Sequence, residues 1–313
     1  MQIYMAPMEG VTDSIYRNTF REFYGGVDKY FTPFLSPNST RKFTTREWKE
    51  IDPAANDVAT TVPQLIGNNA ENMLWAMEEL AHLGYREVNI NLGCPSGTVV
   101  AKKKGSGLLY YPEELERLLG ELCEGGAKLG LNISVKTRLG KNDPEEFYEI
   151  LDIYNRYPIS ELTIHPRIQS DFYKGQVRHE YFDYAYEKAK MPLVYNGDLK
   201  KAEEVAEVAD SYPGLAAVML GRGLVARPWM LAGRELTMAG WGKFWSFHDS
   251  LLDQYSAVLS GQVPLLHRMK EFWAYWDVNF SGADCDKLLK KLRKAKKLEE
   301  YAGVVEALKG LYY

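Results

Sequence analysis

The sequence predicts an α/β fold: a (β/α)8 barrel in residues 1–240, followed by a small all-helical domain in 241–313. Three observations predict it. Short β-rich apolar runs recur eight times, helix-compatible stretches separate them, and after about residue 240 the periodicity turns purely helical. An open doubly wound sheet is the other arrangement of the same alternation.

In order, the expected strands are IYMAPM (3–8), VDKYFTPFL (27–35), TTVPQLIG (60–67), EVNINLGC (87–94), NISVKTRLG (132–140), ELTIHPR (161–167), PLVYNGD (192–198) and AAVMLGRG (216–223). Pro33 and Pro37 break the regularity of the second. Amphipathic helices are expected at 70–84, 112–130 and 143–158, the last capped by Asp143 with Pro144 at its first helical position. The periodicity switch falls near 235–243. Beyond it, GKFWSFHDSLLDQYSAVL, VPLLHRMKEFWAYWDVNF, DCDKLLKKLRKAKKLEEY and AGVVEALKGLYY read as four helices whose Trp273, Tyr275 and Trp276 pack into a bundle.

Composition bounds the function. With 46% apolar and 26% charged residues in 313, the chain has the balance of a soluble globular protein. No apolar run reaches the roughly 18 residues of a membrane helix, and MQIYMAPMEG lacks the pattern of a secretory leader. Cys94, Cys123 and Cys285 are scattered, without a CxxC pair, so free thiols in a cytoplasmic protein are expected. Five dispersed histidines give no metal-ligand spacing, and no metal is expected. The formal charge of −4 is uneven: from Trp241 onward there are 11 Lys+Arg and 9 Asp+Glu, a net of +2, which leaves −6 for the rest. DKLLKKLRKAKKL (286–298) alone holds seven basic residues and one acid, either a solvated helix face or a nucleic-acid contact.

Unusual residues gather at the carboxyl ends of the expected strands, the face that carries the active site of such barrels: Pro7-Met8, Gln64, Cys94, Lys136, His165, Asn196-Gly197-Asp198 and Gly221-Arg222. Seven of eight strands ending this way point to a shared ligand. The GRG at 221–223 and the preceding NGD allow close backbone approach to a phosphate, although a tight turn explains either alone. Lys136, inside a strand, suits either charge stabilisation on a reduced flavin or a Schiff base. His165 suits a phosphate, a ring carbonyl or a structural hydrogen bond. Gln64 suits the edge of a flat heteroaromatic ring. For Cys94 the residues leave packing, nucleophile and acid open; an unperturbed thiol stays mostly protonated near neutrality, which permits the last.

Taken in order, MAPMEGVTDSIYR, INLGCPSGTVVAKKKGSGLL, SVKTRLG, TIHPR, VYNGD and VMLGRGLVARPWM resemble the tRNA-dihydrouridine synthases, and HRMKEFWAYW resembles the basic helix of their C-terminal domain. The chain departs from the family pattern at His165-Pro166-Arg167, where His-Gly-Arg is usual. It departs again at Tyr195, where a small residue is common and the change is expected to affect packing. The resemblance implies an FMN barrel, re-reduced by NADPH, that reduces the C5=C6 bond of uridines in tRNA. By motif, Pro7, Met8, Glu9, Gln64, Lys136, His165, Asn196, Gly197, Asp198, Gly221 and Arg222 are the implied FMN-binding residues. Asn91 is expected to orient the uracil and Cys94 to protonate C5 as hydride passes from the flavin to C6. The target uridine must leave its stack. Lys102, Lys103 and Lys104, on a loop flexed by Gly105 and Gly107, are expected to face RNA. Arg167, Arg268, Lys270 and the lysines of 287–297 are further expected phosphate contacts in a monomer with no membrane partner. The rival readings are an FMN barrel acting on a free pyrimidine, a Schiff-base aldolase using Lys136, and a non-catalytic RNA-binding barrel.

Overall fold

The computed structural model describes residues 1–233 and 236–312. They form two compact units: one of Met1–Glu9, Val27–Asp198 and Glu207–Leu220, the other of Gly10–Gly26, Leu199–Ala206 and the segment beginning at Gly221. The second unit thus takes in stretches that the sequence reading assigned to the barrel. The expected switch near 235–243 begins at Glu235, which, with Arg234 and Tyr313, lies outside the described residues.

In the first unit nine short strands run parallel: β1 (Gln2–Met5), β2 (Lys29–Phe31), β3 (Thr61–Val62), β4 (Gln64–Leu65), β5 (Glu87–Leu92), β6 (Asn132–Gly140), β7 (Leu162–Ile168), β8 (Leu193–Tyr195) and β9 (Ala217–Leu220). Their order is β3-β2-β1-β9-β8-β7-β6-β5-β4. β3 and β4 flank Pro63, which has no N–H to give a ladder, so they are one stave interrupted by a proline and the sheet closes as an eight-stave (β/α)8 barrel. The second expected strand shrinks to three residues; beyond Pro33, only Leu35 pairs, bridging to Leu65. Tyr4, Ala6, Phe31, Val62, Val194, Ala217 and Met219 pack together as the apolar part of the interior.

Helices cover the staves for local reasons. Asn69 caps Ala70–His82 by accepting from the Asn72 N–H, and Pro112–Leu129 opens on its proline and ends at Gly130 with φ +67°. Its buried face includes Cys123, a packing thiol. The third expected helix starts later, at Glu146, because Glu146 reaches back to the N–H groups of Lys141, Asn142 and Asp143; Asp143 instead accepts from Glu145 N–H at 2.9 Å.

The second unit is helical: Ser14–Phe23, Arg222–Ala226, Met238–Val258, Gln262–Trp276, Ala283–Lys294 and Leu298–Tyr312. The third tail helix expected from the sequence stops at Lys294, and the fourth begins earlier, at Leu298. Tyr16, Phe272 and Trp276 stack at 5.2 and 5.3 Å, and Trp273 is buried as expected. Trp276 donates its indole N–H to the Val225 carbonyl at 3.0 Å. Buried His248 bonds the Tyr301 hydroxyl at 2.6 Å and Asp249 at 2.8 Å. Among the described residues no helix is long and apolar enough to cross a membrane.

Candidate functional site

Strand parity aims the site. Alternate residues of β5, β6 and β7 face the interior, which turns Asn91, Lys136, Arg138, His165 and Arg167 inward near the carboxyl ends. Cys94 follows β5. Its backbone N–H and that of Gly93 both donate to Asn91 Oδ1, at 2.9 and 3.0 Å, while Asn91 Nδ2 donates to Gln64 Oε1 at 2.7 Å. Asn91, the residue expected to orient a uracil, therefore holds the cysteine loop with its side-chain oxygen.

The loop itself is folded back and packed. Ser106 Oγ donates to the Cys94 carbonyl at 2.8 Å. Gly105 sits at φ +55°, and a Cβ there would stand 2.9 Å from the Cys94 oxygen; one on Gly107 would stand 2.7 Å from the Val100 oxygen. These glycines allow the close approach of backbone to backbone that folds the loop. Burial pushes the Cys94 thiol above its ordinary pKa, against a hydrogen bond from the Ser96 backbone and the charges of Arg138 and Lys136. At neutral pH the thiol keeps its proton.

Two cations attend it. Lys136 keeps some exposure, yet desolvation, aided by Arg138, drops its ammonium to about 7, and it makes no hydrogen bond or ion pair to another described residue. Arg138 is buried and clamps three carbonyls: Nε to Gly93 at 2.9 Å, Nη1 to Ile168 at 3.0 Å and Nη2 to Phe172 at 2.6 Å. Burial lowers its pKa to about 10, still charged near neutrality. Sequence reasoning missed Arg138. The signal was present, since it lies two residues beyond Lys136 on the same face of one strand.

Arg167 is not a surface phosphate contact. Only 1% exposed, it grips Asp198 through two bonds of 2.9 and 2.7 Å and donates to the Gly175 carbonyl at 2.6 Å. Its Nη1, which can only donate, lies 3.1 Å from His165 Nε2, an arrangement in which Nε2 accepts. Asp198, expected at a cofactor, is engaged by this pair. Asn196 donates to the Met219 carbonyl at 2.8 Å, and a Cβ on Gly197 would meet the Tyr195 hydroxyl at 2.3 Å. Tyr195 packs edge-on to Phe182 at 4.9 Å, a packing role. Pro7 and Met8 are half-buried after β1, and Glu9, exposed, pairs with Arg46.

The three lysines divide. Lys102 is exposed. Lys103 pairs with Glu114 at 2.8 Å and lies 4.0 Å over the Tyr111 ring, while Lys104 points at Ser36 Oγ, 3.3 Å away. In the second unit, Gly221 precedes the short helix Arg222–Ala226 and Arg222 is exposed. Gly223 is the tight position, where a Cβ would collide with the Leu199 carbonyl. Arg268 is turned inward, bonding the Gly10 carbonyl and lying 3.6 Å from Asp13, the residue that caps Ser14–Phe23. Lys270 donates to the Ala295 carbonyl at 2.9 Å. Both are half-buried and engaged within the second unit, Arg268 also pairing with Glu271 at 3.2 Å. Lys287, Lys290, Lys291, Lys294, Lys296 and Lys297 are exposed. Among the described residues no group of His, Cys, Asp and Glu is placed to hold a metal.

The fold and its polar carboxyl-end face define a member of the (β/α)8 barrels. Among solved structures, morphinone reductase matches at a TM-score of 0.50 and 12% identity over 73–74% of this chain and 84–85% of its own, a likeness of fold. The sequence is more specific: the dihydrouridine synthase (Dus) family model matches residues 4–309, and the chain belongs to that family. It is 27% identical to the tRNA-dihydrouridine(16) synthase of Vibrio parahaemolyticus, over 94% of this chain and 92% of that one. It is 31% identical to a probable tRNA-dihydrouridine synthase 2 of Bacillus subtilis, over 72% and 69%.

Proposed function

We propose that the chain reduces the C5=C6 bond of particular uridines in tRNA to 5,6-dihydrouridine, using FMN bound at the carboxyl end of the barrel and NADPH as reductant. Family membership and the names of its relatives support the reaction. The observation that carries the mechanism is Cys94: a thiol held protonated by burial, on a backbone pinned by Asn91, next to Lys136.

The chain's own residues fit FMN on two counts. The Lys136 ammonium has no partner among the described residues, and Nε of buried Arg167 is likewise unpartnered. Pro7, Met8, Gln64, Lys136, His165, Asn196 and Gly197 would hold the cofactor, with Gly221 and Arg222 assigned to its phosphate on the resemblance alone. When bound, the flavin supplies the hydride equivalent for C6. Cys94 delivers the proton to C5. Lys136, recharged next to an anionic group, offsets the negative charge that develops, and Arg138 fixes the ends of β5 and β7 on either side. The uridine must be extruded from its stack to reach these groups. Residues 241–313, with the exposed lysines of 287–297, are proposed as the tRNA-binding domain of a cytoplasmic monomer, a setting that suits three free thiols.

Purified protein should carry the visible absorption of an oxidised flavin. Cys94→Ala should keep that absorption yet lose most dihydrouridine formation on tRNA lacking the modification, about 100-fold or more. Near-normal turnover of the variant would remove the acid role, and absence of any flavin from protein prepared with excess FMN would remove the cofactor.

A further inference from the structure

A row of buried polar side chains runs through the barrel interior, from the cysteine loop to the opposite, amino-terminal end. Asn91 Nδ2 donates to Gln64 Oε1 at 2.7 Å, and Gln64 Nε2 donates to Asn89 Oδ1 at 2.7 Å. Asn89 Nδ2 donates to Ser134 Oγ at 2.9 Å, and Ser134 Oγ donates to Glu87 Oε1 at 2.7 Å. Glu87 Oε2 is held by Lys29 at 2.7 Å, and Lys29 also bridges to Glu161 at 2.8 Å. Gln64 and Asn89 are fully buried, and Ser134 is 2% exposed. The sequence places these groups together simply: Glu87, Asn89 and Asn91 are alternate residues of β5, all facing inward, and β4 and β6 are its neighbours.

The directions of these bonds are dictated from both ends. An ionised carboxylate only accepts, so the Ser134 hydroxyl must point at Glu87 and present its lone pair to Asn89. At the other end, the N–H groups of Gly93 and Cys94 only donate, so Asn91 must present its oxygen to them. An amide can turn end for end at little cost in isolation; between these two fixed ends, Asn89, Gln64 and Asn91 each have one orientation that leaves no donor facing a donor. The apolar remainder of the interior has no such directionality.

We infer that Glu87, through Ser134, Asn89 and Gln64, is a positioning residue for Cys94: it fixes the orientation of the Asn91 amide and hence the placement of the thiol. The inference deepens the proton-donor reading of Cys94 and rests on it for its effect on turnover, but not for its effect on the thiol itself. Without an acceptor-only terminus, the two loop N–H groups alone hold the row to one direction. The reversed row, in which Asn91 turns its NH2 toward them, then competes with it, and where it forms the loop is pushed off and the half-buried thiol moves.

The test uses the full chain with its cofactor and three variants: Glu87→Gln, Ser134→Ala and Ser134→Thr, the last keeping the hydroxyl. Two quantities are measured: the pH dependence of Cys94 alkylation by iodoacetamide, read on the peptide containing Cys94, and kcat and KM for uridine reduction. Glu87→Gln and Ser134→Ala should lower kcat roughly tenfold with KM within about twofold, as a small misplacement of a reacting group does. They should also move the alkylation profile toward that of an exposed thiol. Ser134→Thr should restore both. If Glu87→Gln fails to fold, Ser134→Ala, which removes one hydroxyl, carries the test alone. A folded Ser134→Ala protein with wild-type kcat and an unmoved alkylation profile overturns the inference, whatever its melting temperature. A moved profile in a protein whose wild type makes no dihydrouridine upholds the inference and discards the functional reading instead.

Discussion

The barrel interior is built in two ways. Strands β1, β2, β3, β8 and β9 contribute mainly aliphatic and aromatic side chains that pack against one another, such as Phe31, Val62, Val194 and Met219, with Lys29 of β2 reaching across to Glu87. Strands β4 to β7 contribute amides, a hydroxyl, a lysine and arginines, among them Gln64, Asn89, Ser134 and Arg138, all buried. The first wall is held by burial, which is non-directional and tolerates a change of shape at modest cost. The second is held by hydrogen bonds whose donors and acceptors must match one for one, and a single unmatched group there costs about 1–3 kcal/mol. The apolar wall therefore sets whether the barrel closes, and the polar wall sets where the cysteine loop sits.

The largest effect that would separate the two is expected at Arg138. Arg138→Ala leaves the carbonyls of Gly93, Ile168 and Phe172 without their donor, and unfolding in urea should show a loss of about 3 kcal/mol. The same variant should let iodoacetamide reach Cys94 faster, because Gly93 is the residue the guanidinium holds. A stable variant with unchanged thiol reactivity would mean that the clamp is redundant.

Val194→Ala probes the other wall. Lost burial and a small cavity should cost about 2 kcal/mol, but alkylation of Cys94 should not change. A change in Cys94 reactivity comparable to that of Arg138→Ala would erase the distinction between the walls.

How much of this was legible in the sequence follows the same division. The apolar runs and their spacing gave the staves, position at the strand ends singled out Cys94, Lys136 and His165, and the family resemblance added Asn91; parity along each strand could have been read as well. What parity leaves out is the partner. Arg167 was read as a phosphate contact because Asp198, which engages it, comes from the end of a different stave. Arg268 and Lys270 were read as phosphate contacts because HRMKEFWAYW resembles the basic helix of the family's C-terminal domain; the backbone carbonyls they also bind, at Gly10 and Ala295, leave no mark in a sequence. Arg138 was within reach, being the next inward residue after Lys136. Glu87, Asn89 and Ser134 were visible as inward polar residues, but their order as a chain needed the register of β4, β5 and β6.

The smallest effect expected is at Lys136, and its sign depends on pH. Burial lowers the ammonium to about 7, whereas in the unfolded chain it stays protonated to far higher pH. Between those values the unfolded state binds more protons, so Lys136 makes the stability of the cofactor-free protein rise as pH climbs through about 7 and beyond. Below that range the folded protein holds a poorly solvated charge with no anionic partner among the described residues. Lys136→Met should therefore raise the melting temperature of cofactor-free protein at pH 6, and raise it less at pH 9. An anionic group in the site returns to the ammonium what burial withholds, so in the FMN-loaded protein the same substitution should lose its benefit and weaken flavin retention. Melting curves at the two pH values, with and without FMN, measure all four states. A variant less stable than wild type at pH 6 without cofactor would show that Lys136 already has its counter-charge within the polar wall.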